Sequence, residues 1–140
     1  MYEFLQVSVA DAMTRDPVVI RPETTLLEAE ALFERHSFNG LPVVDPGGRL
    51  LGILTKLDVL RAFRFTPDSI VPHYAEIMEG QVEAVMTRDP LSFSPGAPLT
   101  RVLEELVRTR HKSFPVVEGG RVVGIVARED VLSALRRAVA

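Results

Sequence analysis

The string Met13-Thr14-Arg15-Asp16-Pro17 recurs letter for letter as Met86-Thr87-Arg88-Asp89-Pro90, 73 residues further on. At that offset, 13–44 against 86–117 shows 11 identities in 32 positions, among them Pro42-Val43-Val44 and Pro115-Val116-Val117. One residue is then lost near Gly119-Gly120, and 49–63 matches 121–135 at 7 of 15 positions. Self-similarity of this kind marks a tandem duplication and fixes how every other motif is read. Repeat 1 spans 9–64, repeat 2 spans 82–137, and 65–81 connects them. A unit of this size buries little core alone, so the expected solution is two repeats packed about a pseudo-two-fold axis.

Each repeat reads as β-α-β-β-α, an α/β class. Val18-Val19-Ile20 predicts a short strand after an Asp-Pro turn. Thr25-Leu26-Leu27-Glu28 has the spacing of a capping box, and Leu26, Ala29, Leu32, Phe33 and His36 follow at helical period. Repeat 2 starts its helix with Pro98, tolerated in a first turn. Apolar runs around Pro46-Gly47-Gly48 and Gly119-Gly120 predict hairpins, and second helices start near Lys56 and Arg128. In the connector, Ile70, Val71, Tyr74, Ile77 and Met78 fall at helix-like spacing, with Pro72 in the first turn and Gly80 as the stop.

Composition removes several functions. With no cysteine, disulfides, zinc-thiolate sites and thiol nucleophiles drop out. Sixteen Lys+Arg against 19 Asp+Glu, a net charge of −3, disfavour nucleic-acid binding, for which only Arg108–Lys112 and Arg136-Arg137 speak. No apolar run reaches the ~18–20 residues of a membrane span, and no basic n-region precedes one, so the expected location is the cytoplasm. His36 and His73 lack partners at metal-ligand spacing, and there is no Walker A, G-x-G-x-x-G or nucleophile-elbow sequence. No enzyme is expected.

The Met-Thr-x-x-Pro opening of each repeat, the Leu/Phe-Pro-Val-Val strand and Gly52-Ile53-Leu54-Thr55-Lys56-Leu57-Asp58 together resemble the tandem cystathionine-β-synthase (CBS) domain pair, or Bateman module. The resemblance covers nearly the whole chain. It implies a regulatory module that takes an adenosine-containing ligand (AMP, ADP, ATP or S-adenosylmethionine) in clefts between the repeats. It also implies no catalytic cofactor, and pairing into a homodimer. Ligand binding would then act by population shift on conformation, on self-association or on an effector protein. The competing reading is a ligand-free dimerisation scaffold.

The resemblance makes Asp58 and Asp130 the acceptors for a ribose diol. Thr55 and the helix N-terminus would serve a phosphate. Thr55-x-x-Asp58 is equally a capping box, and both roles fit the same geometry. In Gly124-Ile125-Val126-Ala127-Arg128-Glu129-Asp130 the hydroxyl is missing, so the expected order is a competent site at Thr55/Asp58 and a weaker one at Asp130. The backbone of Val19-Ile20 and Ser92-Phe93 is where the family reads the adenine edge. Lys112, within the basic cluster Arg108, Arg110, His111 and Lys112, stands where relatives place a phosphate contact; the cluster is equally a solvated helix end. Its counterpart in repeat 1 is the uncharged Asn39. Arg15-Asp16 and Arg88-Asp89 read as turns with surface ion pairs.

Overall fold

The computed structural model describes residues 2–64 and 73–139. The elements are α1 (Val9–Ala12), β1 (Thr14–Arg15), α2 (Leu26–Arg35), β2 (Gly40–Val44), β3 (Leu50–Thr55), α3 (Lys56–Arg61), α4 (Tyr74–Met78), β4 (Thr87–Arg88), α5 (Leu99–Thr109), β5 (Ser113–Glu118), β6 (Arg121–Ala127) and α6 (Arg128–Ala138). Short 3-10 helices at Tyr2–Gln6 and Val82–Ala84 complete the set. The fold is mixed α/β with two antiparallel three-stranded sheets, ordered β2-β3-β4 and β1-β6-β5.

The chain divides into two compact units whose borders differ from those of the repeats. A central unit comprises Val18–Asp89, and a terminal unit comprises Met1–Pro17 with Pro90–Ala140. The cause is an exchange of the Met-Thr-Arg-Asp-Pro segments. Thr14 and Arg15, the opening of repeat 1, pair with Ile125 and Gly124 of repeat 2. Thr87 and Arg88, the opening of repeat 2, pair with Ile53 and Gly52 of repeat 1. Met13 is buried in the terminal core with Val9, Leu99, Phe114 and Val126. Met86 is buried in the central core with Leu26, Leu41, Leu54 and Val82.

Two glycines make the exchange sterically allowed. A Cβ on Gly52 would stand 2.6 Å from the Thr87 carbonyl oxygen and 2.9 Å from the Met86 sulfur. On Gly124 it would stand 2.9 Å from the Thr14 carbonyl oxygen and 2.7 Å from the Met13 sulfur. Both glycines therefore mark where another stretch of backbone crosses the strand closely. Asp16 and Asp89, just before their prolines, both adopt the left-handed conformation, φ 49° and 47°. Asp tolerates that region better than most residues, and a following proline disfavours αR, so the sequence and the turn agree.

Local signals hold at most element starts. The Thr25 hydroxyl accepts the Glu28 N–H at 3.1 Å while Glu28 Oε1 accepts the Thr25 N–H at 3.2 Å, closing the expected box. The same motif at Ser8 and Asp11 starts α1; its Ser-x-x-Asp spacing was the available signal for this unanticipated helix. The strand expected at 18–20 shrinks to one parallel bridge, Ile20 with Val43, matched by Phe93 with Val116. Pro98 is the N-cap of α5 rather than a residue of its first turn. In the connector, α4 covers Tyr74–Met78 and the Gly80 N–H closes it on the Ile77 carbonyl. Met78 is buried and Tyr74 stacks on Phe63; Ile70, Val71 and Pro72 lie outside the described residues. Among the described residues no helix is long and apolar enough to cross a membrane.

Candidate functional site

In the central unit, β3 ends at Thr55 and α3 starts one residue later. That places Thr55 as N-cap and Asp58 as the third helical residue. The Thr55 hydroxyl accepts the Asp58 N–H at 3.2 Å, and Asp58 Oδ2 accepts the Thr55 N–H at 2.9 Å and the Thr55 hydroxyl at 3.0 Å. Strand exchange adds a donor from far along the chain. The hydroxyl of Thr87, on β4, reaches Asp58 Oδ1 at 3.2 Å. Arg61, one turn along α3, donates Nη1 to the same oxygen at 3.0 Å. Asp58 is 1% exposed and every acceptor direction of its carboxylate faces a protein donor. It sits inside the unit as a clamp joining α3 to β4, an arrangement the Thr-x-x-Asp spacing alone does not reveal.

The terminal unit repeats this geometry with most of the donors removed. Asp130 Oδ2 accepts the Ala127 N–H at 2.7 Å, and no other donor reaches its carboxylate among the described residues. Ala127 has no hydroxyl to offer, and Ser133, which replaces Arg61 in the repeat alignment, accepts from Arg136 instead. Burial pushes the Asp130 carboxyl above its ordinary value; the Ala127 N–H opposes that shift and nearby Glu129 adds to it. The half-buried Asp130 thus retains acceptor capacity that Asp58 does not.

The basic cluster gathers at the same end of the β5–β6 hairpin as Asp130. Ser113 pairs with Ala127, and the Lys112 carbonyl accepts the Arg128 N–H at 3.0 Å. Arg128 then ties down the loop, donating to the carbonyls of His111 at 3.0 Å and Arg110 at 2.6 Å. Arg110 is left-handed, φ 63°, and returns its N–H to Leu106. Arg108 pairs with Glu105. Lys112 is exposed and has no ion-pair partner among the described residues. The central unit has no such cation at this place. Asn39 stands for Lys112, and Lys56, standing for Arg128, lies 5.9 Å from the centroid of the Phe33 ring.

The backbone sites resolve into pairs with different duties. Ile20 donates its N–H to Pro42 and accepts from Val44, both at 2.9 Å; Phe93 donates to Pro115 at 3.2 Å and accepts from Val117 at 2.9 Å. Their side chains are buried in the two cores. Val19 and Ser92 precede these bridging residues and lie outside the strands. Val19 is also exposed. The expected ion pair of Arg88 with Asp89 is not formed: Arg88 turns instead to the Glu83 carboxylate at 3.9 Å and the Glu83 carbonyl at 3.4 Å. Among the described residues no group of three or more His, Asp or Glu is placed to hold a metal ion.

The profile of the CBS domain matches residues 9–64 and 82–137. The chain belongs to the CBS domain family. Inosine-5'-monophosphate dehydrogenase of Mycobacterium tuberculosis is 38% identical over 120 residues, which are 84% of this chain and 20% of that enzyme. The chain spans about a fifth of the length of the curated relatives it matches. Among solved structures, CBSX2 in complex with AMP superposes with a TM-score of 0.82 at 26% identity, over 95% of this chain and 98% of that one. The CBS domain pair of protein MJ0100, in complex with 5'-methylthioadenosine and S-adenosyl-L-methionine, gives 0.76 at 28% identity, over 96% and 98%. Both are CBS proteins holding adenosine-containing ligands.

Proposed function

We propose that this CBS pair is a non-catalytic regulatory module that binds an adenosine-containing ligand, with Asp130 as the principal ribose acceptor. The observation that carries this reading is the half-buried Asp130 carboxylate with a single protein donor among the described residues, at the sheet end where Lys112 is exposed and has no ion-pair partner among them. A vicinal diol offers two hydroxyl donors to such a carboxylate, and an adjacent ammonium group complements a phosphate. That combination favours AMP, ADP or ATP over S-adenosylmethionine, whose sulfonium carries positive charge. The adenine edge is assigned to the backbone of Ser92-Phe93, with Val19-Ile20 as its counterpart in the central unit. The proposed order of the two sites is the reverse of the sequence expectation, because Asp58 and Thr55 have the complete motif but no unfilled acceptor.

Binding is proposed to shift populations between conformations or oligomeric states according to the ligand's differential affinity for them. A homodimer in the cytoplasm, acting on an effector protein, is the setting we favour. Exposed Leu57 and Leu60 on α3 and Leu132 on α6 support self-association. Titration calorimetry of the intact chain against AMP, ATP and S-adenosylmethionine is the direct test. Nucleotide binding that Asp130→Ala weakens at least tenfold, about 1.4 kcal/mol, supports the proposal. No binding of any of the three leaves the scaffold reading, which the filled state of Asp58 favours.

A further inference from the structure

Taking adenosyl binding as proposed above, we infer that Arg61 is the residue that keeps the Asp58 half of the module closed to ligand and so sets how many ligands one chain takes. A ribose hydroxyl needs at least one open acceptor direction on the carboxylate. At Asp58, Oδ2 is held by the N–H and hydroxyl of Thr55, and Oδ1 by the Thr87 hydroxyl and Arg61 Nη1. The first three donors are fixed. Thr55 is the N-cap of α3, and Thr87 is built into the sheet through its pairing with Ile53. Arg61 differs in kind: its side chain is 56% exposed, on the last residue of α3, and holds Asp58 through one guanidinium nitrogen.

Arg61 is therefore an intramolecular occupant that a ligand has to displace. It offers the carboxylate a charge-assisted donor where a ribose offers a neutral hydroxyl. Repeat 2 supplies the internal comparison. Ser133 stands at the matching place, one turn after Asp130, and makes no bond to that carboxylate. The two halves thus differ by one removable side chain, by the Thr55/Ala127 hydroxyl and by the Thr87 bond, which Thr14 does not repeat at Asp130. A single ion pair with one exposed partner, as here, is worth up to about a factor of five in an equilibrium, the size of effect expected on affinity.

The test transplants the repeat 2 residue, Arg61→Ser, into the full chain and follows AMP and adenosine binding by calorimetry. The expected wild-type result is one AMP per chain, lost in Asp130→Ala. Arg61→Ser should bring in a second, weaker AMP, and in the Asp130→Ala background it should restore one site, with affinity up to about fivefold above Asp130→Ala alone. The exposed position of Arg61 leaves the fold intact, checked by a cooperative melt within about 3 °C of wild type. Two equal sites in the wild-type chain would overturn the role of Arg61 while leaving nucleotide binding in place. Weaker AMP binding in Arg61→Ser with adenosine unaffected would overturn it too, making Arg61 a phosphate contact. No binding by either protein would sink both readings, whereas binding that depends on Arg61→Ser and not on Asp130 would uphold the closure and sink the Asp130 assignment.

Discussion

Replacing Asp58 by alanine should cost far more stability than replacing Asp130, although the two residues are equivalent by sequence. Asp58→Ala removes the acceptor of the Thr55 N–H and hydroxyl, of the Thr87 hydroxyl and of Arg61. The cap is worth ~1 kcal/mol, and the inter-element bond from Thr87 to a charged carboxylate ~1.5–3 kcal/mol. The half-exposed Arg61 pair adds ~0–1 kcal/mol, so the loss comes to about 3 kcal/mol. With an unfolding entropy of ~2.1 cal/mol/K per residue, this corresponds to a fall in Tm of about 10 °C. Asp130→Ala loses one bond, from the Ala127 N–H, and removes a partly desolvated charge, so its Tm should move by no more than about 3 °C. Calorimetric melts of the ligand-free chain and both variants measure the difference. Asp58→Asn keeps one carbonyl acceptor and should fall between wild type and alanine. Equal shifts for Asp58→Ala and Asp130→Ala would refute the idea that Asp58 is a clamp within its unit.

Four further outcomes follow from individual positions. Gly52→Val should destabilise by ~3 kcal/mol or more, because even its Cβ meets the Thr87 carbonyl; Gly96→Ala, with open space around it, should be neutral or stabilising by up to ~1 kcal/mol, and urea titration compares the two. Arg110→Gly relieves a left-handed backbone and should gain ~1 kcal/mol in the same titration, offset only by lost side-chain contacts. The Asp130 carboxyl is raised by burial, so its ionised form opposes folding above that raised value and the opposition disappears as pH falls through it. Asp130→Asn should therefore raise Tm at neutral pH by a margin that shrinks in melts taken through the carboxylate range. A nucleotide bound at 100 times its Kd should stabilise the chain by ~2.7 kcal/mol in a thermal-shift assay, and Lys112→Ala should reduce the shift given by AMP more than that given by adenosine.

Much of the fold was legible because its signals are local. The capping boxes, the Gly-Gly turns and the helical period of α2 and α5 are written within a few residues. The exchange of the opening segments was not legible for a simple reason. Met13–Pro17 and Met86–Pro90 have identical letters, so each is as compatible with one sheet as with the other. Gly52 and Gly124 carry the sign of a close crossing, but nothing in a glycine says which strand crosses it. The same distance hid the state of Asp58. Thr55 is three residues away and readable; Thr87 is 29 residues away and reaches it only through β4. Arg61 was within reach of reading, as an i,i+3 partner on α3, and its meaning rests on the burial of the group it covers. The missing threonine beside Asp130 reads in the sequence as weakness, whereas the structure leaves its carboxylate with one protein donor among the described residues.

The interlocked openings carry a lesson about self-sufficiency. Cut the polypeptide in the connector, and each fragment keeps a β-hairpin with two helices but forfeits the strip that finishes its sheet and plugs its core with methionine. Neither piece is a module in its own right; mixed together they should restore each other, and alone each would have to find that strip in a twin molecule. Duplication here did more than double a pocket: it put into a single chain a complementation that one copy could reach only by association.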